Sequence, residues 1–475
     1  MKNTFFQLLT VAFLFSCGGG PETITVSPEP LRPSAPQDTA EIRSSEGDEF
    51  IHISVGEFSP IESMDPLFAE SNSELRIIHL IYDGLARLDD SGNPAPALAK
   101  DWEVNNDSTR FTFNLRTDVF FHDVNSFSGG VGRKFIGSDV RYVFERMASL
   151  QVPDYAAKMF ENIRGFSDYH REQTYVKNAA KRAIDSINGI ELQNDSTVVF
   201  TLDQSSPEFL RNLAHPFASV YASESATSIT PPIQRPAGTG AFYYVTTDEN
   251  RHVLAVNRNY YGTTPKMNRL DIVSGLSEGD LFQMFARDEL DALVELSPSS
   301  ISLVADSAGE LTNSYSENDF QLIKTPVQAT YKLFYNEESD QKKTVNLFLS
   351  TLNVNNIFEN PVLGHITKHS IDTTNTNETK GGKITIAKTA HPSELYLINR
   401  IMLRAASLGF TASMNDSYAI TEDVTFTTRT FPNTTEILTW NTPLFMLSQN
   451  NFSGIQINHE PWNMDAAGVS VSEEL

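Results

Sequence analysis

Cysteine is almost missing from this chain of 475 residues: Cys17 is the only one. A single thiol excludes an internal disulfide, a CxxC redox pair and a cysteine zinc site. Positive charge is scarce as well, with 36 Lys and Arg against 60 Asp and Glu, a net charge of −24. Phosphate neutralisation needs surplus cations, so nucleic acid is not an expected partner. An anionic lipid surface gripped through a basic patch is not expected either. Past the N-terminal segment no apolar run reaches the roughly 18 residues of a spanning helix. There is no phosphate-binding loop and no Rossmann fingerprint. The ten histidines do not cluster with metal spacing, and His122-Asp123 and His391-Pro392-Ser393-Glu394 stand apart from one another. No cofactor and no metal are expected. What the chain does have is 40% hydrophobic residues, including 31 Phe and 15 Tyr. That is enough for a large core, and the length alone suggests about three domains.

The N-terminus has the form of an export signal. Lys2 is followed by an apolar stretch from Phe5 to Phe15, of signal-peptide proportions. Leu14-Phe15-Ser16-Cys17 resembles a bacterial lipobox, and that resemblance implies cleavage before Cys17 and acylation of its thiol. The expected signal is 1–16. Residues 17–48 carry Pro21, Pro28, Pro30, Pro33 and Pro36 without apolar periodicity, and read as a flexible tether. A body held at a bacterial membrane by this lipid anchor, facing periplasm or exterior, is the implied location.

Beyond the tether, strand and helix signals alternate without a regular βα period, which predicts mixed sheets with helices on their faces. Phe50 to Val55 reads as a strand. Ser71 and Glu74 form a capping-box pattern ahead of Leu75, Ile78, Tyr82 and Leu85 at helical spacing. Phe111, Phe113 and Leu115 alternate with polar residues as a half-buried strand. Ser138 is the expected cap of a helix burying Val140, Val143, Phe144, Met147 and Leu150. Ile190–Leu202, turning at Asn194-Asp195, reads as a hairpin. Leu395, Ile398, Met402 and Ala405 share a helix face stopped by Gly409.

Four blocks resemble one family. Ile61-Glu62-Ser63-Met64-Asp65-Pro66 is the first. Ile81-Tyr82-Asp83-Gly84-Leu85 with Pro96-Ala97-Leu98-Ala99-Lys100-Asp101-Trp102 is the second. Asp107 to Arg116, with Phe121-His122-Asp123 and Ser138-Asp139-Val140, is the third. Gly238-Thr239-Gly240-Ala241-Phe242, followed by Asn257 to Gly262, is the fourth, and its Gly238 and Gly240 suit a tight turn that needs positive φ. In this order they resemble the family 5 extracellular solute-binding proteins, the oligopeptide, dipeptide and nickel receptors of ABC importers. The resemblance implies a mixed α/β (α+β), periplasmic-binding-protein-like fold of two lobes, with a subdomain inserted in the first. By analogy lobe I takes 49–84, 190–275 and 446–475, the inserted subdomain 85–189, and lobe II 276–445. The second half lacks the family's Val-Arg-x-Ala-Leu block and has no evident Asp after the Asp423-Val424-Thr425-Phe426 strand.

The implied function is capture of a peptide-like or other small ligand between the lobes, for delivery to permease and ATPase subunits; the protein is expected to be a monomer. The alternative is a ligand sensor or envelope binding protein on the same scaffold. The edges expected to hold ligand are Glu57–Ile61 and Thr427–Phe431, giving Phe58, Ser59, Thr427, Arg429 and Phe431 as candidate contacts. Phe58 and Phe431 would wall a pocket and Arg429 would meet a carboxylate. Gly275-Leu276-Ser277-Glu278-Gly279 fits the G-x-S-x-G of a nucleophile elbow, but no acid and histidine stand in a recognisable signature beside it. Gly275 and Gly279 are instead expected to be hinge residues, and no enzyme activity is expected.

Overall fold

The computed structural model describes residues 50–471 except 150–153, 227–232, 234, 249, 313–314, 316–318, 337–341, 359, 370–381, 388, 390, 416–425 and 428–433. The expected signal, Cys17 and nearly all of the tether lie outside the described residues, as do Arg429 and Phe431.

In chain order, β1 (His52–Glu57) leads through α1 (Asn72–Ile81) to a hairpin of β2 (Ala86–Leu88) and β3 (Pro94–Pro96). β4 (Ala99–Val104) and β5 (Arg110–Leu115) follow, then the helices α2 (Gly137–Met147), α3 (Asp154–Phe160) and α4 (Phe166–Tyr175). Next come β6 (Ile190–Asn194), β7 (Thr197–Thr201), α5 (Phe209–Asn212), β8 (Phe242–Asp248), β9 (Arg251–Val256) and β10 (Arg269–Val273). α6 (Glu278–Phe285), β11 (Ala292–Val294) and α7 (Pro298–Val304) precede the long β12 (Phe320–Asn336). The remainder holds α8 (Lys342–Thr351), β13 (His365–Lys368), β14 (Lys383–Ala387), α9 (Pro392–Ser407), β15 (Thr411–Asn415), β16 (Phe426–Thr427) and the long β17 (Thr434–Gln449).

Local signals explain many of these elements. β5 buries every second residue, as its alternation of Phe and polar side chains requires. In α1 the Ser71 side chain accepts from the Glu74 N–H, and the Glu74 carboxylate accepts from the Ser71 N–H, a complete capping box. That helix stops at Ile81, so Tyr82 and Leu85 lie beyond it. α2 differs from expectation at its start. Ser138 lies inside the helix, and the Asp139 carboxylate takes the Ile136 N–H, because an acid at the third helical position reaches back where no polar cap precedes the helix. α9 ends just before Gly409, at φ 88°, the left-handed position that favours glycine.

One sheet carries most strands, in the order β15-β14-β16-β12-β17-β11-β1-β10-β9-β8, with β13 also on β17. Among the described residues β12 and β17 run through two groups of partners. Phe320–Lys324 pairs with Gln449–Phe445 beside β11, whereas Gln328–Asn336 pairs with Pro443–Thr434 beside β16 and β13. Between them the register breaks at Lys324/Gln328. The break has a cause in sequence: Thr325-Pro326 on one strand and Thr442-Pro443 on the other. Proline cannot donate to a ladder, and the Thr325 hydroxyl takes up the Val327 N–H instead. Residues 85–189, expected as an insert, include β4 and β5, which join β6 and β7 in a separate four-stranded sheet, covered by α2.

Gly275 and Gly279 lie elsewhere. Both β10 and β11 pair in parallel with β1, one on each side. The segment carrying the two glycines is therefore a crossover around β1 within the first group of strands. Gly275 has φ 73°, and Gly279 sits in the first turn of α6. The stretch 276–324 remains with the first group, and the change of partners falls about fifty residues after the boundary expected at 275/276, at the Thr-Pro pairs.

Candidate functional site

The motif blocks that carry the family resemblance converge, but on scaffold. Asp65 is fully buried, accepts from the Arg146 guanidinium at 2.8 Å and takes the N–H groups of Leu67 and Ile233. Asp83 accepts from Thr239 at 3.0 Å and Tyr260 at 3.2 Å, joining the second block to the fourth. Burial pushes the Asp83 carboxyl up to about 6, against the pull of those hydroxyls. Gly238 and Gly240 were the natural candidates for a turn with positive φ, yet neither has one. They are required for another reason: a Cβ on Gly238 would stand 2.1 Å from the Ile81 carbonyl oxygen, and one on Gly240 2.6 Å from that of Leu80. The His122 ring meets the Gly240 carbonyl at 3.0 Å, tying the third block to the same place.

A different set of residues surrounds a cavity where the two strand groups meet. Phe58, Ser59, Ser73, Glu295 and Ser297 line it from the β1 side, and His391, Pro392 and Ser393 from the start of α9. α9 packs on β15, in the second group. The space between these two sides is about 200 Å³ when the open solvent at its mouth is counted in. Phe58 and Ser59 were expected at the ligand and both line this space. They do so from the bend that leaves the C-terminal end of β1, not from a sheet edge, because β1 is paired on both sides. Strand ends at this end of a sheet are the usual place for a bound molecule. Thr427 pairs through its backbone with Phe334, and its neighbour Phe426 with Ile386, so β16 is an interior strand.

Beneath the cavity lies a buried ion group that sequence reading missed. Arg76 has no solvent exposure. Its Nε donates to Glu57 Oε1 at 2.7 Å, and its Nη2 donates to Glu57 Oε2 at 2.6 Å and to Glu295 Oε2 at 2.7 Å. Nη1 donates to the Pro461 carbonyl at 2.7 Å. Burial alone would lower the guanidinium, and the charges of Glu57 and Glu295 overcome it and raise it. Glu295 is held below the usual carboxylate range: burial opposes this, but the Arg76 charge and then that of His391 outweigh it. Glu295 also accepts from Asn72 at 3.1 Å and from the Tyr331 hydroxyl at 3.2 Å. Tyr331 belongs to the distal part of β12, so that bond crosses from one strand group to the other. Its ring packs between His391 and Trp440, each centred 5.2 Å away.

Two details mark this as more than packing. Glu295 has φ 52°, a left-handed conformation that costs a non-glycine residue roughly 1–3 kcal/mol and tends to occur where function holds it. The group also has two carboxylates for one guanidinium, a local excess of one negative charge. A signal for it did exist in the sequence. Arg76 interrupts the apolar run of α1, and Glu295 directly follows the apolar Ala292–Val294.

Ser277 has an ordinary role. Its hydroxyl caps α6, accepting from the Asp280 N–H at 3.2 Å and donating to the Asp280 carboxylate at 2.6 Å, so it is not arranged as a nucleophile with a histidine base. Among the described residues no group of three or more His, Cys, Asp and Glu is placed to hold a metal. No helix among them is long and apolar enough to cross a membrane.

Comparison with known proteins agrees with this architecture. The profile of the bacterial extracellular solute-binding proteins, family 5 Middle, matches residues 93–376. Heme-binding protein A of Haemophilus influenzae is 28% identical over 250 residues, 50% of this chain and 42% of that protein. Di/tripeptide-binding protein 1 of Pseudomonas aeruginosa is 31% identical over 171 residues, 34% of this chain and 29% of that one. The chain thus aligns with less than half the length of these curated relatives. Among solved structures, the binding protein AgaA of A. tumefaciens R10 in complex with agropinic acid superposes with a TM-score of 0.68 at 14% identity, covering 89% of this chain and 99% of the other. A dipeptide-binding protein from Pseudoalteromonas sp. SM9913, in complex with Met-Leu, gives 0.64 at 14% identity, over 89% and 100%. These neighbours share a fold of two lobes. With the mixed sheets, the strand exchange at β12 and β17 and the profile match together, the chain belongs to the family 5 bacterial extracellular solute-binding proteins.

Proposed function

We propose that this protein is an extracytoplasmic receptor, lipid-anchored through Cys17, that captures a peptide-like or other small solute between its lobes and hands it to the permease and ATPase of an ABC importer. The observation that carries the reading is the cavity itself. It is lined from both strand groups, bridged by the Tyr331–Glu295 bond and floored by buried charge. A solute touching both sides stabilises the closed arrangement over the open one, and that differential contact is what a capture receptor requires. The Thr-Pro positions of β12 and β17 are the proposed crossover between lobes, so lobe I extends to about residue 324 and lobe II lies between the two crossings. The names of the relatives support a peptide or similarly small solute without selecting one.

The test is ligand-dependent closure. A bound solute should raise the melting temperature and reduce the radius of gyration in X-ray scattering, and native mass spectrometry of freshly purified protein should show it as a co-purified mass. If peptide, nickel–chelator and sugar libraries all leave both quantities unchanged, the capture reading fails. Cys17→Ser should move the protein from the membrane to the soluble fraction, which tests the anchor separately. The second reading, a sensor or envelope binding protein without an importer, is motivated by the second half of the chain, which lacks the Val-Arg-x-Ala-Leu block and an Asp after Asp423-Val424-Thr425-Phe426. Solute uptake in cells lacking the protein distinguishes the two: loss of uptake supports the importer, and unchanged uptake with retained binding supports the sensor.

A further inference from the structure

Resting on the receptor reading and its two lobes, we propose that the Tyr331–Glu295 bond is a latch: it holds the two strand groups together when no solute is bound, so that opening must precede entry.

Three observations carry this. The first is that each partner is fixed within its own strand group. On the β1 side the Glu295 carboxylate is held by Arg76 at 2.7 Å and by Asn72 at 3.1 Å, on a backbone at φ 52°. On the other side the Tyr331 ring lies between His391 and Trp440. Trp440 has no solvent exposure, donates its indole N–H to the Leu363 carbonyl at 2.7 Å and packs on Phe358 at 4.7 Å. A bond between two groups already immobilised costs little side-chain entropy to form. The second observation is the chemistry of the bond. A hydroxyl donates to a carboxylate at 3.2 Å, and both residues are 7% exposed. Burial, and then the Glu295 charge, push the Tyr331 hydroxyl well above its ordinary range, against a smaller pull from the Ser393 hydroxyl. It therefore keeps the proton it donates. Hydrogen bonds to an ionised group away from water are among the stronger ones. A second bond between the groups, from Asn360 Nδ2 to the Asp306 carbonyl, is 3.5 Å long and exposed, and holds little by comparison.

The third observation is the space left at the junction. α7 packs on α9 there, and once the open mouth is left out the cavity between Phe58, Ser59, Glu295 and His391 admits about one water. A solute does not fit while the bond is made. The latch is also reversible. When Tyr331 withdraws, Glu295 keeps its bonds to Arg76 and Asn72, so opening leaves no carboxylate buried without a counter-charge.

The experiment is a distance measurement between two spin labels by pulsed electron resonance. In the full chain with Cys17→Ser, labels at Val245→Cys and Met414→Cys sit on β8 and β15, exposed strands at the two ends of the sheet order. Without solute the latched protein should give one narrow distribution of distances. Tyr331→Phe keeps the ring and removes the donor, and should raise the ratio of open to shut about tenfold, seen as a second population of distances. Glu295→Gln weakens the same bond from the other side and should widen the distribution likewise, so the test does not hang on one variant. Asn72→Ala removes a bond to the same Glu295 oxygen from within the β1 side, and should leave the distribution unchanged. A native distribution in both Tyr331→Phe and Glu295→Gln overturns the latch, and so does equal widening in Asn72→Ala, which would mean general loosening. A tryptic digest of casein, added as a mixture of peptides, tests the receptor reading separately. If the digest moves the distances and the two variants do not, the latch falls and the receptor stands. If neither the variants nor the digest move them, peptide capture falls with the latch.

Discussion

Arg76 offers the sharpest test of how this site is built. Replacing it by Met keeps the volume of the stem and removes the cation. Glu57, 1% exposed, and Glu295, 7% exposed, then face each other without a counter-charge. The variant loses three hydrogen bonds to carboxylates, of 2.6–2.7 Å, and one to the Pro461 carbonyl. Breaking a buried ion pair from one side costs about 3–5 kcal/mol, because the remaining charge stays desolvated. That is the expected fall in unfolding free energy for Arg76→Met in urea at pH 8. The sign of its pH dependence follows. In the native protein Glu295 is held low, so its contribution is present above its unfolded value and is lost only as pH falls through the lower folded one. In the variant both carboxyls are pushed up, so the folded state binds a proton that the unfolded state lacks, and the deficit shrinks as the pH is taken from 8 towards 5. A neutral triple variant, Glu57→Gln, Arg76→Met and Glu295→Gln, should recover most of the lost stability, since buried ion groups can be exchanged for uncharged ones at little cost. Arg76→Met within about 1 kcal/mol of the native protein at pH 8, or a deficit that is the same at pH 5 and pH 8, would refute the reasoning.

Other expectations are simpler. His79 and His215 both flank the Trp462 ring, and burial lowers each to about 4. Their folded values lie below the unfolded one, so stability is full above about pH 6.5 and falls as pH drops towards 4, by up to roughly 3 kcal/mol for each; the double variant His79→Gln with His215→Gln should melt with a flatter pH profile. Gly238→Ala places a Cβ 2.1 Å from the Ile81 carbonyl oxygen and should cost about 3 kcal/mol or more in urea melts. Gly279→Ala meets nothing closer than the Ser277 hydroxyl at 3.9 Å, so it should be neutral or stabilising by up to about 1 kcal/mol and should leave ligand-induced compaction unchanged; loss of compaction would restore this glycine as a hinge. Trp440 packs on Tyr331 at the cavity, so its fluorescence should report solute binding, and Trp440→Phe should abolish the change.

What was legible in the sequence is what short-range chemistry decides. The alternation of β5, the capping box of α1, the β6–β7 hairpin and the glycine stop after α9 each rest on residues within a few positions of one another. Errors began where two residues offered the same service. Asp139 displaced Ser138 as the N-terminal partner of α2, since its carboxylate reaches the Ile136 N–H at 3.0 Å. Gly238 and Gly240 were correctly singled out but for the wrong cause: two glycines look the same whether they permit a turn or let backbone approach backbone. The site was the least legible part. Arg76 and Glu295 are 219 residues apart in the chain, and nothing local says that an arginine in an apolar helix will meet a glutamate after a distant strand. His391 was noticed as isolated in sequence, yet it comes to Tyr331 only through the second strand group.

The distribution of these residues bears on why the second half of the chain departs from the family pattern while the fold persists. The exchange of partners at β12 and β17 depends on two strands of 17 and 16 residues pairing with each other, with a proline in each at the change. Backbone pairing of this kind tolerates wide variation in side chains, so the exchange can persist without the usual sequence block. At the cavity the division is unequal. The strand group around β1 supplies the charged floor and most of the wall. Among the described residues the other strand group contributes His391, Pro392 and Ser393, and Tyr331 bonds across to Glu295. The buried network of Glu57, Arg76 and Glu295 cannot change without the cost worked out for Arg76. The groups at the start of α9 take part in no such ion network among the described residues, so substitutions there cost the fold less than substitutions among Glu57, Arg76 and Glu295.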